Sequence, residues 1–511
     1  MLMDCIEIYK KYAGSDLDKL ILDNYYPTDG LYIIMEEIET GFQEKERFEV
    51  KQDKKTKEIP LSTSELHRIS KLDYYCKLVD MNKPIDNKKI IQSNNYLSFW
   101  IKKESLSNGK LTMEVIDNYY KVLMDPCIKY KKTQKDKEIY QLVEQEVGSV
   151  NLEKLEKVKK WIMEKIFSFS DEIDGKDYLK IFFLCEDVDI KKEGERYILP
   201  NIFNKNDFNI MFDGTIYGLP NENMGMNQKK PYLENKNRKN AVPVLTDMDS
   251  ILLRKKFFDY LWGQASKRKY NIYFNSETNE IIPLDGKNAP KSPLTGYYMR
   301  IRKDKNEAAI EEMDCIGNYN PELKEPFVFF NILDLDTKKL DGHEYGSHKY
   351  LWEIQNIVNE ELFSKFLIPN LFNEPKDISC NNDTILEECI LLSRNALHRW
   401  FFKGYDNDVA YILDKVSMRL IKNSILNNNM IKVQHQFNLY ISLMKYLKGG
   451  YDDMADVMIE IRESLRGKIN QKNYVSIETD AEYFYATGQL INYFISLNKS
   501  NKKMHSLFNP F

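Results

Sequence analysis

Cysteine and histidine are scarce in this chain, and their scarcity excludes several kinds of site. The seven cysteines are odd in number and include no Cys-x-x-Cys pair, which argues against a disulfide framework and against a zinc ribbon. The six histidines are scattered, and the chain has no Walker loop, Gly-x-Ser-x-Gly elbow or local Cys/His dyad. We therefore expect a protein of the reducing cytoplasm that is not an enzyme and has no metal or cofactor.

Long apolar runs and a large net charge of either sign are also lacking. No stretch approaches the roughly 18 apolar residues of a membrane span, and Asp4 and Glu7 stand where a signal peptide would carry cations. We expect a soluble protein that is not exported and has no membrane partner. With 74 basic and 78 acidic residues the net charge is −4, so no overall field attracts nucleic acid. Any such binding must be local.

Positive charge is nevertheless concentrated in one window, residues 224–303. This window holds 11 lysines and five of the thirteen arginines against seven acids, a balance of +9 that leaves −13 for the rest of the chain. Four of these arginines are Arg254, Arg268, Arg300 and Arg302. A local basic cluster in a chain without net positive charge is typical of a confined nucleic-acid contact.

The run at residues 218–239, GLPNENMGMNQKKPYLENKNRK, opens this window. Its first part is rich in residues that favour turns over helices and central strands: Gly218, Pro220, Asn221, Asn223 and Gly225. Asn227, Gln228, Lys229 and Lys230 follow without a break. Because amide side chains suit base edges and cations suit phosphates, the run predicts a loop that reads nucleic acid. The alternative is a solvated surface loop.

A second basic segment, GYYMRIRK at residues 296–303, has the alternation of a strand. Tyr298, Arg300 and Arg302 alternate with Met299 and Ile301, so two guanidinium groups and one aromatic ring share a face. This face could bind a nucleic-acid strand, or it could be an ordinary solvent-facing side of a sheet.

The hydrophobic pattern predicts an α+β fold with two domains. A mixed α/β domain, residues 1–375, carries the basic DNA-reading segment at about 218–303. Predicted strands lie at 25–35, 94–103, 180–188, 271–275 and 296–303, and helical periodicity covers 134–168 and 250–263. A bundle of helices, residues 380–511, follows. Its second helix spans 409–426 and its last 480–497, and we expect the bundle to fold alone.

One segment offers a metal-binding alternative. Asp341, His343, Glu344 and His348 form a His-Glu-x-x-x-His pattern. Its histidines are five residues apart, a spacing that does not place them on one helix face, and glycines interrupt the segment. A metal-dependent nuclease or nucleotidyl enzyme using these four residues is the alternative function.

Three segments resemble the large subunit of the type I-B CRISPR effector complex, Cascade. They are MGMNQKKPYLENK, GYYMRIRK and the C-terminal ATGQLINYFISLNKSNKKMHSLFNPF. The likeness covers residues 218–330 and 487–511, whereas the first two hundred residues are only compatible with it. Some members of this group carry cysteine pairs that look like zinc ligands. Because this chain lacks such pairs, the resemblance does not imply a metal-stabilised subdomain here.

The resemblance implies a non-catalytic subunit at the 5′ end of the guide RNA. Such a subunit recognises the protospacer-adjacent motif in double-stranded target DNA, assists unwinding and R-loop formation, and recruits a helicase-nuclease. Its other partners would be the backbone and small subunits of Cascade, and its C-terminal bundle would be similar to a small subunit. A scaffold without DNA contact is a third hypothesis, but it leaves the basic window unexplained.

The resemblance also suggests individual roles. Asn227 and Gln228 would read base edges, and Gly225 would let the backbone come close to the DNA. The expected contacts to the DNA or RNA backbone are made by Lys229, Lys230, Arg238, Lys239, Arg254, Arg268, Arg300 and Arg302. Tyr298 would offer a stacking surface for a base.

Overall fold

The computed structural model describes residues 1–53, 58–78, 83–171, 173, 175–203, 206–219, 245–303, 308–449, 452–470 and 476–497. The fold is α+β, as predicted, with sheets in the N-terminal half and helices at the C-terminal end. The chain forms two compact units. Unit 1 comprises residues 1–286 and 295–316, and unit 2 comprises residues 287–294 and 317–511. No helix in the described ranges is both long enough and apolar enough to cross a membrane.

Unit 1 is built from helices and short sheets. Its helices are α1 Leu2–Ala13, α2 Leu17–Leu22, α3 Thr63–Cys76, α4 Glu104–Ser107, α5 Met113–Met124, α6 Gln134–Val147, α7 Leu152–Lys165, α8 Asp187–Ile198 and α9 Met248–Ser266. Its strands are β1 Gly30–Ile38, β2 Gly41–Val50, β3 Ser98–Lys102, β4 Tyr178–Phe183, β5 Ile210–Phe212, β6 Thr215–Gly218, β7 Thr246–Asp247, β8 Lys269–Asn275, β9 Ile281–Asp285, and most of β10 Leu294–Lys303 and β11 Ala308–Tyr319.

The central sheet of unit 1 has the strand order β2-β1-β4-β3. Strands β1 and β4 are parallel, and the two outer pairs are antiparallel. Strand β4 is buried along almost its whole length, which explains why its sequence is apolar apart from Lys180 rather than alternating. The strands predicted around β1, β3 and β4 are confirmed.

A buried ion pair fixes α3 to this sheet. Lys180 of β4 binds Asp73 of α3, and each side chain is only 1% exposed. The hydroxyls of Tyr25 and Tyr32 donate to the two Asp73 oxygens at 2.8 and 3.0 Å. Burial lowers the pKa of Lys180, although the negative charge of Asp73 opposes this change. The pair is stable only because its polar atoms are hydrogen-bonded inside the core.

A second sheet, with the order β11-β10-β8-β9, packs beside α9. Phe257 and Leu261 of α9 share a buried apolar core with Ile272, Phe274 and Met299 of the sheet. The helix predicted at 250–263 and the strands predicted at 271–275 and 296–303 are confirmed by α9, β8 and β10.

Unit 2 is mainly helical. It begins with the hairpin of β12 Glu322–Phe329 and β13 Gly346–Tyr350 and continues through α10 Leu351–Ile357 into a π-helical turn, Val358–Leu362. The remaining helices are α11 Leu367–Asn370, α12 Thr384–Lys403, α13 Val409–Leu426, α14 Met430–Lys448, α15 Asp452–Ile469 and α16 Asp480–Leu497. The predicted helices at 409–426 and 480–497 are confirmed to the residue.

Two predictions of organisation differ from the structure. The periodicity at 134–168 belongs to two helices, because α6 ends at Gly148 (φ 83°) and α7 begins after Asn151, whose side chain accepts from the Lys154 amide. The unit that holds α12 to α16 is not limited to residues 380–511 but also includes residues 287–294 and 317–379. The reason is that α14 packs directly on β12 and on the π-helical turn, so the helices share their core with the hairpin.

Candidate functional site

The run at residues 218–239 joins the described fold through two paired strands. Gly218 of β6 lies opposite Thr246 of β7, and Tyr217 lies opposite Asp247. Residues 220–244 are outside the described residues. They include all of the predicted motif-reading residues and the first backbone-contacting cations: Gly225, Asn227, Gln228, Lys229, Lys230, Arg238 and Lys239. The structure therefore fixes where this segment starts and ends.

The base of the segment is tightly packed. A Cβ atom on Gly218 would lie 2.6 Å from the Phe203 ring and would also collide with the Asn209 side chain. Ile216 of β6, Ile251 of α9 and Phe203 belong to one cluster of buried apolar residues. Both ends of the segment are thus held by the same small core.

Helix α9 starts immediately after β7 and carries one of the predicted contact residues, Arg254. Asp247 caps the helix by accepting from the Ser250 amide at 2.8 Å. Burial disfavours ionisation of Asp247, but hydrogen bonds from Ser250 and the nearby Arg254 guanidinium outweigh it and lower the pKa of this carboxyl. The side chain of Arg254 is itself only partly exposed.

The next two lysines of α9 are also engaged within unit 1. Lys255 Nζ lies 2.5 Å from Asp259, and Lys256 Nζ lies 2.8 Å from Asp18. Burial disfavours ionisation of Asp259, but Lys255 and Lys77 outweigh it and lower its pKa to about 2. These cations stabilise the fold. Arg268, just beyond α9, is exposed and has a left-handed backbone (φ 61°).

The predicted basic face of β10 is differently arranged. Tyr298 is completely buried, and its hydroxyl donates to Asn271 Oδ1 at 2.9 Å. Its ring has no face open to a base, so we withdraw the stacking role. The side chain of Arg300 is 11% exposed and lies 3.4 Å from Glu311, whereas that of Arg302 is 58% exposed and lies 3.5 Å from the same carboxylate.

These pairings change how the basic window is understood. Much of its positive charge in the described part, on α9 and β10, faces acids of the same unit. Residues 220–244 themselves contain five cations and two acids, a balance of +3. Among the cations assigned above to contacts with a nucleic-acid backbone, Arg268 and Arg302 are the exposed ones in the described part.

The second candidate site lies in unit 2, where the sequence suggested Asp341, His343, Glu344 and His348. The structure does not gather these four into one ligand group. The Nε2 atom of His348 lies 2.8 Å from the Glu344 backbone oxygen, and its ring packs on Phe327. His343 lies elsewhere, with Nδ1 2.7 Å from Glu361 Oε1 of the π-helical turn.

A third residue, His435 of α14, completes this cluster. Its ring stacks on His343, with ring centres 3.6 Å apart and planes inclined by 14°. The Tyr345 hydroxyl lies 2.8 Å from His435 Nδ1. Glu361 and His435 were missed by sequence reasoning because they lie far from His343 in the chain and form no local motif. The π-helical turn that positions Glu361 has no signature that we recognise in the sequence.

Burial governs the ionisation of the cluster. Burial, together with the nearby His343 and Lys339, lowers the pKa of His435 to about 4. Burial raises the pKa of Glu361, although its hydrogen bond to His343 opposes this change. Perturbed titratable groups beside a cavity are a recognised mark of functional sites.

Comparison of the chain with known protein families, with curated proteins and with solved structures finds no match. The function must therefore be argued from the residues and their arrangement.

Proposed function

We propose that this chain is the non-catalytic large subunit of a type I-B CRISPR RNA-guided surveillance complex, Cascade. In this role it recognises the protospacer-adjacent motif in duplex DNA, assists unwinding and R-loop formation, and recruits the helicase-nuclease. The observation that carries the proposal is the attachment of the amide- and lysine-rich run to β6 and β7. Both ends of this run are fixed beside α9 by one apolar core.

This attachment suits a reader of a short motif. In guided complexes base pairing with the guide supplies most of the sequence information, and the protein needs only a few direct contacts to start a nearly balanced strand exchange. Asn227 and Gln228 supply paired donors and acceptors for base edges, and Gly225 allows close approach. A fixed base reduces the conformational entropy lost when such a segment binds.

The cations would supply affinity that does not depend on sequence. Lys229, Lys230, Arg238 and Lys239 are assigned to phosphates, and Arg268 and Arg302 keep this assignment because their side chains are exposed. Arg254 and Arg300 were assigned to the same role, but they are weaker candidates because their side chains are only partly exposed. The partners are the guide RNA, target DNA, the other Cascade subunits and the helicase-nuclease, in the cytoplasm.

The nuclease alternative has no observation that favours it. Asp341, Glu344 and His348 do not join His343 in a ligand group, as the geometry above shows. We therefore retain only the question of whether the histidine cluster holds a metal ion.

The proposal is tested by the salt dependence of duplex binding. We expect Lys229→Ala with Lys230→Ala to weaken binding to all sequences and to reduce the slope of log K against log salt by roughly 1 to 2. The matched control replaces Lys10 and Lys11, an adjacent exposed pair at the end of α1, and should leave the slope unchanged. An equal slope for both double variants would refute the assignment, and absence of duplex binding by the wild type would favour a scaffold.

A further inference from the structure

The histidine cluster of unit 2 is unrelated to the DNA-reading role. His343, Glu361 and His435 each place a potential ligand atom within 4.8 Å of the others, and no further group of this kind occurs among the described residues. We propose that these three residues bind a divalent metal ion of the zinc class. The inference does not depend on the proposed function, since it rests on the geometry of unit 2 alone.

The ligand set suits zinc chemically. Two imidazole nitrogens and one carboxylate oxygen are common zinc ligands, and three protein ligands leave a fourth position open. Oxygen-loving ions such as Mg²⁺ prefer carboxylates, carbonyls and water to imidazole. A cavity of about 350 Å³ adjoins all three side chains and is lined by Ser364 and Lys432 among others. The open position would therefore face a space large enough for a water molecule.

The burial and the unpartnered Nε2 atom of His435 suit it to bind a metal ion. It is 2% exposed, and its Nε2 atom has no hydrogen-bond partner among the described residues. Buried polar nitrogens without a partner are rare and costly. A metal ion in the cluster would complete the coordination of this nitrogen and remove that cost.

The second ring nitrogen of His435, Nδ1, is hydrogen-bonded, as the second nitrogen of a metal-binding histidine usually is. Its Nδ1 atom lies 2.8 Å from the Tyr345 hydroxyl, which also accepts from Asn438 Nδ2 at 3.0 Å. The Tyr345 ring is itself stacked on Phe329, with ring centres 3.9 Å apart. If Nδ1 donates its proton to Tyr345, Nε2 carries the free lone pair that a metal ion needs, and second-shell partners fix this tautomer in metal-binding histidines.

Binding requires the His343 ring to turn as well as approach, because stacked, nearly parallel rings do not direct their nitrogen lone pairs to one point. Bonds of about 2.0 to 2.1 Å to a tetrahedral zinc ion place the ligand atoms about 3.4 Å apart, compared with separations of up to 4.8 Å here. His343 is the residue that would move, because its side chain is 26% exposed and lies in the loop before β13. Its Nδ1 atom now lies 2.7 Å from Glu361 Oε1. Metal binding would replace this hydrogen bond with two metal bonds.

The test is a zinc titration of the full-length chain in competition with a chromophoric chelator. Exposed Cys127 and Cys315 are replaced by serine in every variant, so that thiolates do not contribute. We expect one tightly bound ion per chain. His435→Gln and Glu361→Gln should each weaken binding by more than about tenfold, because each removes a direct ligand. The matched control, His348→Gln, should bind as the parent does.

Two further measurements keep the result interpretable if a variant is unstable. The first is Tyr345→Phe, which retains the ring and all three ligands and should weaken binding by about 10- to 100-fold. The second is the visible spectrum of bound Co²⁺, whose intense tetrahedral bands should disappear in His343→Gln. The proposal is overturned if the parent binds no ion, or if His343→Gln and His435→Gln bind zinc as tightly as the control. DNA binding is not measured, so the proposed function can fail independently.

Discussion

The C-terminal helices are expected to depend on the hairpin that precedes them. The perturbation is a comparison of two fragments, residues 380–511 and residues 317–511, of which only the second retains β12, β13 and the π-helical turn. Sequence periodicity alone predicted that residues 380–511 would fold alone. The structure leads us to expect that this shorter fragment is much less stable.

The size of the effect follows from the contacts of α14. Asn438 accepts from the Leu333 amide at 3.1 Å and donates to the Tyr345 hydroxyl at 3.0 Å. Gln436 donates to the Leu362 carbonyl at 3.1 Å, and the Phe330 amide donates to Ser442 at 2.9 Å. At about 1 kcal/mol for each hydrogen bond, their loss costs about 4 kcal/mol.

That loss is a large part of the roughly 5 to 15 kcal/mol that stabilises a typical domain. Packing is lost as well, since Phe327 of β12 is fully buried and contacts the Tyr446 ring edge-to-face. Urea unfolding followed by circular dichroism measures the difference. We expect a cooperative transition for residues 317–511, and a transition at much lower urea, or none, for residues 380–511. Equal midpoints for the two fragments would refute the reasoning.

Further predictions concern single residues, each measured by urea unfolding of the full chain. Gly218→Ala should lower the free energy of unfolding by about 1 to 3 kcal/mol through overpacking. Gly317→Ala should leave it nearly unchanged, because a Cβ atom there meets nothing within 4 Å. Equal losses of stability would contradict the packing described. Lys180→Met should lower the free energy of unfolding by about 3 to 5 kcal/mol, because it leaves Asp73 buried without its cation. A loss below about 1 kcal/mol would contradict the role of the ion pair. Asp259→Asn should cost about 2 kcal/mol at neutral pH, since the folded pKa of about 2 lies below the unfolded value. This cost should shrink as pH falls from about 4 towards 2, and a cost independent of pH would refute the ion pairs as its cause.

Sequence patterns predicted the elements whose signals are local. The helix at 409–426 has a regular apolar period, and Asp383 and Gly404 mark the ends of α12. Strand β11 was not predicted, because only a few of its residues are buried and its sequence is acidic. Its pairing with β10 depends on residues that the local pattern does not reveal.

Site predictions were limited for a similar reason. The alternation along β10 predicted that Tyr298 shares an accessible face with Arg300 and Arg302, but Tyr298 is buried, as are Met299 and Ile301. Both faces of this part of the strand are covered, which a pattern within one strand does not reveal. The cluster of His343 with Glu361 and His435 depends on tertiary folding, and no spacing rule would have found it.

Motif selection tests the central proposal most directly. A guide-matched target is flanked by a short randomised duplex segment, and the sequences retained by the wild-type complex are compared with those retained by Asn227→Ala. We predict that the wild type enriches one short motif. The substitution should reduce discrimination by about 1 to 3 kcal/mol while binding to other sequences is nearly unchanged. Absence of any enriched motif, or an equal loss of affinity for all sequences, would contradict the proposal that this segment reads DNA.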